Sequence, residues 1–161
     1  MAKSDKQRPI LPSILDRLID EAPELTREAP TNAQQFLRDL RSSVRRDVEN
    51  LLNSRQRFDA APEGLRELCS SVYEYGIPDI AGTNLSSKRR RDEFLKLIES
   101  ELRAHEPRFK TVRVVSTGQA GSTERTLRFR IEALMHAEPA PEQVQFDSRI
   151  EPVTRAFQVR S

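Results

Sequence analysis

The hydrophobic pattern of this chain changes its period at Glu106-Pro107-Arg108. Before these residues, apolar side chains recur at three- and four-residue steps, as in amphipathic helices; after them, apolar and polar side chains alternate, as in half-buried strands. Proline cannot continue a helix, and it disfavours the helical conformation for the residue before it. The sequence therefore predicts a stiff turn between a helical half and a strand half, with Glu106 and Arg108 fixed on either side of Pro107.

Three main helices are expected before this turn. The first covers residues 32–53, with Thr31 or Asn32 as its N-cap. Its apolar positions recur at three- and four-residue steps: Phe36, Leu37, Leu40, Val44, Val48, Leu51 and Leu52. The second begins at Pro62 and ends at Tyr75-Gly76, because glycine suits the left-handed position after a helix. Its expected apolar face consists of Leu65, Leu68, Cys69 and Val72. The third begins after Ser86 or Ser87 and continues through Ala104, with Phe94, Leu95, Leu97, Ile98 and Leu102 facing inward.

Strands follow the turn. Alternating segments predict strands at 111–115, 126–137, 144–148 and 155–159. In the clearest of them, Leu127, Phe129, Ile131 and Ala133 share one face, and Arg128, Arg130 and Glu132 share the other. Helices followed by hairpin-linked strands indicate an α+β fold with a small, mainly antiparallel sheet. We expect residues 1–31 to form a lead with a short helix, and residues 32–161 to form the main domain.

Composition narrows the possible functions. The 161 residues contain no long apolar run, which argues against direct membrane insertion. The 27 basic and 25 acidic side chains leave a formal charge of only +2, whereas nucleic-acid binders usually carry a marked basic excess. A single cysteine, Cys69, excludes an internal disulfide and favours a cytoplasmic protein.

Candidate catalytic residues are few. Glycoside hydrolysis needs two carboxylates across a cleft, one of them protonated, but Arg108 favours the charged form of Glu106. No second carboxylate stands out, and tryptophan, which often stacks on sugars, is absent. Cys69 is read as a buried hydrophobe, and His105 and His136 as structural residues. The sequence therefore predicts a protein that is not an enzyme and that has no cofactor or metal.

Three segments together resemble a known family: Leu51-Leu52-Asn53-Ser54-Arg55, Ser71 to Ile80, and Glu106-Pro107-Arg108. Strands like 127–131 and 144–148 complete the pattern. The chain resembles the TssE family, the baseplate wedge components of type VI secretion systems. It is also similar to the wedge proteins of contractile-tailed phages, a family called lysozyme-like.

The resemblance implies a cytoplasmic protein in a baseplate docked at the inner membrane complex. The implied partners are the wedge subunits TssF, TssG and TssK and the sheath subunits TssB and TssC. In the family, the Glu-Pro-Arg motif is associated with docking the first sheath subunits, a role that would fall here on Glu106, Pro107 and Arg108. Possible wedge contacts are Arg89, Arg90, Arg91, Tyr75 and Asp79.

Alternatives remain open from the residues alone. Glu106 and Arg108 could form an ion pair that only fixes the turn, and this role is compatible with docking. Arg89, Arg90 and Arg91 could be solvated surface residues. A peptidoglycan-degrading enzyme is the alternative function, and an adaptor that binds a regulatory protein is a more distant one. For an assembly protein we also expect exposed strand edges that pair with a partner strand.

Overall fold

The computed structural model describes residues 14–19, 23–24, 32–57, 62, 64–65, 67–68, 71–79, 87–118, 127–136, 141–151, 154 and 156–160. The helices are α1 (Ile14–Leu18), α2 (Ala33–Asn53) and α3 (Lys88–His105), and a short 3-10 helix (Val72–Glu74) lies between α2 and α3. The strands are β1 (Phe109–Ser116), β2 (Arg128–Met135), β3 (Glu142–Ile150) and β4 (Phe157–Arg160). Helices followed by one antiparallel sheet confirm the predicted α+β class.

Helix α2 begins and ends close to the predicted positions. Asn32 is its N-cap, since the Asn32 Oδ1 accepts a hydrogen bond of 2.8 Å from the Gln35 backbone N–H. The apolar positions predicted to face inward are buried or half-buried: Phe36, Leu37, Leu40, Val44, Val48, Leu51 and Leu52. Because these positions are three or four residues apart, they form one stripe along the helix, and that stripe packs on the sheet.

The sheet is a meander in which each strand pairs with the next, in the order β1-β2-β3-β4. Alternation along the strands buries one face against the helices, as predicted for Phe129, Ile131 and Ala133. Helix α3 lies along β1, and α2 lies along β4. Phe157 links the layers, because its ring centroid lies 6.4 Å from that of Phe94 on α3 and 6.1 Å from that of Phe129 on β2.

The predicted second helix is wrong for the residues that the structure describes. They include no α-helix, and their helical residues are 3-10 residues at 67–68 and the 3-10 helix Val72–Glu74, in which the Ser71 hydroxyl accepts a hydrogen bond from the Tyr73 N–H. Two members of the expected apolar face are exposed, Leu65 at 53% and Val72 at 88%. Cys69 lies outside the described residues. The buried residues of this region are instead Gly76 and Ile77, next to the half-buried Tyr75.

A backbone clasp fixes this region against the end of α2. The Ile77 N–H donates to the Ser54 carbonyl, and the Gln56 N–H donates to the Ile77 carbonyl, at 3.0 and 2.9 Å. Gly76 takes a φ of +117°, and a Cβ on it would lie 2.6 Å from the Ser54 carbonyl oxygen. Glycine is therefore required here both by the backbone conformation and by the close approach. The clasp brings Tyr75 beside α2 and α3.

None of the helices that the structure describes combines the length and the apolar character that crossing a lipid bilayer requires. Of the predicted lead, residues 14–19 and 23–24 are described. The division of the chain at residue 31 stays a prediction.

Candidate functional site

The Glu-Pro-Arg turn joins the end of α3 to the start of β1. Glu106 is the C-cap of α3, and its N–H still donates to the Leu102 carbonyl at 3.0 Å. Its φ of −116° and ψ of 86° are not helical, as expected for a residue before proline. The Phe109 N–H then donates to the Glu106 carbonyl at 3.1 Å, and the His136 N–H donates to the Arg108 carbonyl at 2.9 Å. The first strand of the sheet, β1, therefore begins directly after the turn.

The Glu106 carboxylate points inward and forms hydrogen bonds and an ion pair with Arg108. Glu106 is 5% exposed, and its Oε1 accepts hydrogen bonds from the Arg108 N–H at 3.1 Å and from the Arg108 Nε at 2.7 Å. The other carboxylate oxygen pairs with the Arg108 Nη2. Charge-assisted, forked contacts of this kind fix geometry as well as charge. The structure therefore contains the turn-fixing ion pair that the sequence left as one of two compatible roles.

Arg108 also reaches across to helix α2. Its Nη2 lies 2.6 Å from the Asp47 Oδ2, and its Nη1 donates to the Ser43 hydroxyl at 3.1 Å. Burial by itself lowers the pKa of the guanidinium, but the hydrogen bonds and charges of Glu106 and Asp47 outweigh burial and raise this pKa. Arg108 therefore stays charged, and it ties the turn to α2.

The same network continues to helix α1. The Asp16 carboxylate accepts a hydrogen bond from the Ser43 hydroxyl and pairs with Arg46, and the Arg46 Nε lies 3.6 Å from the Asp47 Oδ1. One chain of polar contacts thus links α1, α2 and the turn. Because networks of this kind lie in a region of low dielectric, each contact is stronger than it would be in water.

A groove of about 380 Å³ opens beside the turn. Its lining residues come from α2, from the 3-10 segment and from the turn with the end of α3: Asp47, Val48, Leu51, Tyr75, His105, Glu106, Pro107 and Arg108. The Tyr75 and His105 rings meet edge to face, with centroids 5.4 Å apart. Burial, followed by the charges of Asp47 and Glu106, raises the pKa of the Tyr75 phenol. Pro107 is exposed at the groove, whereas Glu106 is buried in its wall.

The structure brings only some of the predicted site residues together. Tyr75 shares the groove with Glu106, Pro107 and Arg108. Arg89, Arg90 and Arg91 lie in the first turn of α3, about 25 Å from the Glu-Pro-Arg turn at the rise of an α-helix. Arg89 pairs with Glu93 at 2.8 Å, and Asp79 lies 3.5 Å from Arg55 on the surface. The expected wedge contacts therefore form separate surfaces rather than one site.

Arg46 and three further residues of the network were not predicted. Ser43 and Asp47 are one helical turn apart on α2, so their spacing places them on the same face. Asp16 lies in α1, 27 residues before Ser43 in the sequence. For Ser43 and Asp47, the sequence signal was their i, i+4 spacing beside the apolar stripe of α2. Nothing local connects any of the three with Arg108, because the contact depends on how the elements pack.

At some positions, the edges of the sheet already have side-chain partners, which limits the expected pairing with a partner strand. On β4, the Asn53 side chain accepts from the Phe157 N–H at 2.8 Å and donates to the Phe157 carbonyl at 3.0 Å. On β1, Glu99 accepts from the Val114 N–H at 3.1 Å. These strand groups point away from the sheet and already have partners from α2 and α3. A partner strand would have to displace these side chains to pair at the same positions.

Comparison with known protein families identifies a baseplate family. The family described as baseplate wedge protein gp25 matches residues 38–140, from the first turns of α2 past the end of β2 and including the Glu-Pro-Arg turn. Neither the search of curated proteins nor the search of solved structures finds a match. TssE-like baseplate proteins correspond to this same family. Since the match spans more than half of the 161 residues, the chain belongs to the gp25 family of baseplate wedge proteins.

Proposed function

We propose that this protein is a structural wedge subunit of a type VI secretion baseplate and that its Glu-Pro-Arg turn docks the first sheath subunits. In this proposal it assembles with TssF, TssG and TssK in the cytoplasm, at the inner membrane complex, and TssB and TssC start the sheath on it. Family membership supports a baseplate role. The observation that carries the docking role is the exposed Pro107 between the buried Glu106 and the half-buried Arg108, which form an ion pair beside a groove.

Rigidity is what this geometry contributes to docking. Arg108 contacts Glu106, Asp47 and Ser43 at once, so the turn has little freedom to lose when a partner binds. A surface that is preorganised in this way binds more tightly than a flexible one with the same contacts. In the proposal, Glu106 and Arg108 hold the shape of the turn, and Pro107 and the groove meet the sheath subunit.

The same contacts argue against the enzymatic alternative. A retaining or inverting glycosidase needs one neutral carboxylic acid to protonate the leaving oxygen. The two carboxylates of the groove, Asp47 and Glu106, are both bound to the Arg108 guanidinium, so neither is available to protonate a leaving group. A zymogram of purified protein on peptidoglycan, with Glu106→Gln as the control, tests this. Lysis that disappears in Glu106→Gln would favour the hydrolase.

Sheath assembly in cells tests the docking role. Arg108→Ala removes the network, and Pro107→Ala changes only the exposed residue of the turn. The matched control is Arg103→Ala, which removes an exposed arginine of α3 that pairs with Glu99. We expect fluorescent sheaths to be lost or rare in the first two variants and normal in the control.

Stability must be measured on the same variants, because Arg108→Ala leaves buried carboxylates without their cation. Pro107→Ala keeps the whole network and therefore separates docking from folding. If folded Pro107→Ala and Arg108→Ala proteins both support full-length sheaths, the docking role is wrong, whereas family membership is unaffected.

A further inference from the structure

The side of the sheet that faces away from the helices, the open face, is rich in arginine. Its residues alternate with the buried ones and are exposed or half-exposed. Its charged members on the four strands are Arg113, Arg128, Arg130, Glu132, Asp147, Arg149 and Arg160. Many antiparallel sheets leave one face to solvent, so exposure alone indicates nothing.

The distribution of charge is what sets this face apart. Five arginines and two carboxylates leave the open face at +3. The whole chain has a formal charge of +2, so all residues outside the open face together balance to −1. The open face therefore carries a local excess of positive charge, on the side of the sheet opposite the helices and the groove.

The strand register places two of these arginines directly opposite each other. Arg128 on β2 is paired with Arg149 on β3. The Ile150 N–H donates to the Leu127 carbonyl, so these two residues form a hydrogen-bonded pair. Because such pairs alternate along an antiparallel ladder, the neighbouring Arg128 and Arg149 form a non-hydrogen-bonded pair. In pairs of this kind the two side chains lie closest to each other. Like charges in such a pair destabilise a sheet. The register therefore brings two arginine side chains next to each other on the open face.

Neighbouring side chains hold some of the guanidinium groups in fixed positions. Gln158 accepts hydrogen bonds from the Arg149 Nε at 2.9 Å and from its Nη2 at 2.7 Å. Asp147 accepts from the Arg130 Nε at 2.7 Å, and Arg160 stands opposite Asp147 on β4. These contacts use only part of each guanidinium, which carries five N–H donors. The remaining donors can form forked contacts with carboxylates.

We propose that the open face binds an acidic surface of a protein partner. A protein is favoured over a polyphosphate or a phospholipid surface because Glu132 and Asp147 lie among the arginines and repel evenly spaced phosphates. Protein carboxylates, in contrast, can be spaced to meet the arginines and to avoid these two positions. The interface is independent of the Glu-Pro-Arg turn, so either proposal can fail alone.

Binding of the full chain to a fluorescent glutamate-rich peptide at low salt tests the inference. Arg128→Gln with Arg149→Gln removes two charges from the open face, and Arg89→Gln with Arg90→Gln removes two from α3. We expect the first pair to weaken binding about tenfold and the second pair less than about twofold. Circular dichroism of each variant confirms that it is folded.

Two outcomes would overturn the inference. One is an equal loss in both pairs of variants, since that would mean the peptide senses only net charge. The other is tighter binding to duplex DNA or to vesicles of anionic phospholipid that disappears in Arg128→Gln with Arg149→Gln, since the partner class would then be wrong. Normal sheath assembly by this variant would leave the docking role of the turn standing.

Discussion

Arginine side chains are prominent both in the Glu-Pro-Arg turn and on the open face of the sheet, but their environments differ. The Arg108 side chain is 14% exposed and bound to two carboxylates, whereas the Arg130 side chain is 39% exposed and bound to one. Removing a partner from a buried pair leaves a charge without solvent or counter-ion, whereas an exposed pair contributes little to stability. The turn therefore uses arginine for its own structure, whereas the open face exposes arginine to solvent.

The largest expected effect is the loss of stability in Arg108→Ala. This change leaves Glu106 and Asp47 beside each other without the guanidinium that joins them, at a cost of about 3 kcal/mol in the free energy of unfolding. Urea denaturation followed by circular dichroism measures it. Arg130→Ala on the open face is the matched comparison and should cost much less, because its ion pair with Asp147 is exposed to solvent. Equal losses in the two variants would abolish the distinction between the two regions.

A smaller loss is expected where the backbone shapes the groove. Gly76→Ala places a Cβ 2.6 Å from the Ser54 carbonyl oxygen at a φ of +117°, so the clasp behind Tyr75 must shift, at a cost of about 2 kcal/mol. Gly64 also has a positive φ, +94°, but nothing lies within 4 Å of its added Cβ. Gly64→Ala should therefore cost only about 1 kcal/mol. Comparing the denaturation of the two variants separates the cost of the steric clash from the cost of a positive φ.

The pH dependence of stability tests the charge of the groove. Burial and the neighbouring Asp47 and Glu106 raise the pKa of Tyr75, so the folded protein retains this proton after the unfolded chain has lost it. The stabilisation is complete below the ordinary tyrosine pKa of about 10 and is lost as the pH rises through the folded-state pKa.

Unfolding of the original protein and of Tyr75→Phe, measured at several alkaline pH values, isolates this contribution. We expect the stability difference between the two proteins to fall with rising pH. The change should be smaller than the preceding effects, because solvent screens a half-buried phenol. A difference that is constant across the series would show that the groove does not disfavour the phenolate.

The smallest expected effect belongs to the open face. Arg128→Gln changes one exposed member of the pair with Arg149, so stability should stay within about 0.5 kcal/mol of the original. Thermal unfolding at low salt gives the greatest sensitivity, because salt screens exposed charges. A clear loss of stability would mean that Arg128 supports the sheet itself, and would weaken the proposal that it serves a partner.

Local patterns determined most of the architecture. The apolar stripe of α2 and the alternation along β2 predicted buried positions correctly, because periods of 3.6 and 2 each place apolar groups on one face. The same reasoning was wrong for Leu65 and Val72. Their helical spacing predicted a buried helix face. In the structure, the described part of that region instead packs against the end of α2 through Gly76 and Ile77.

At the Glu-Pro-Arg turn, the sequence by itself determined that the helix must end. Proline has no backbone N–H to donate, and it disfavours the helical conformation of the residue before it. Only the tertiary structure decided what Glu106 and Arg108 do there. Asp47 lies 61 residues from Arg108 and Ser43 lies 65 residues away, and α2 packs beside the turn to bring both into contact. Hydrogen bonds and ion pairs require groups within a few ångströms of each other, and for distant residues that separation is set by packing rather than by local sequence.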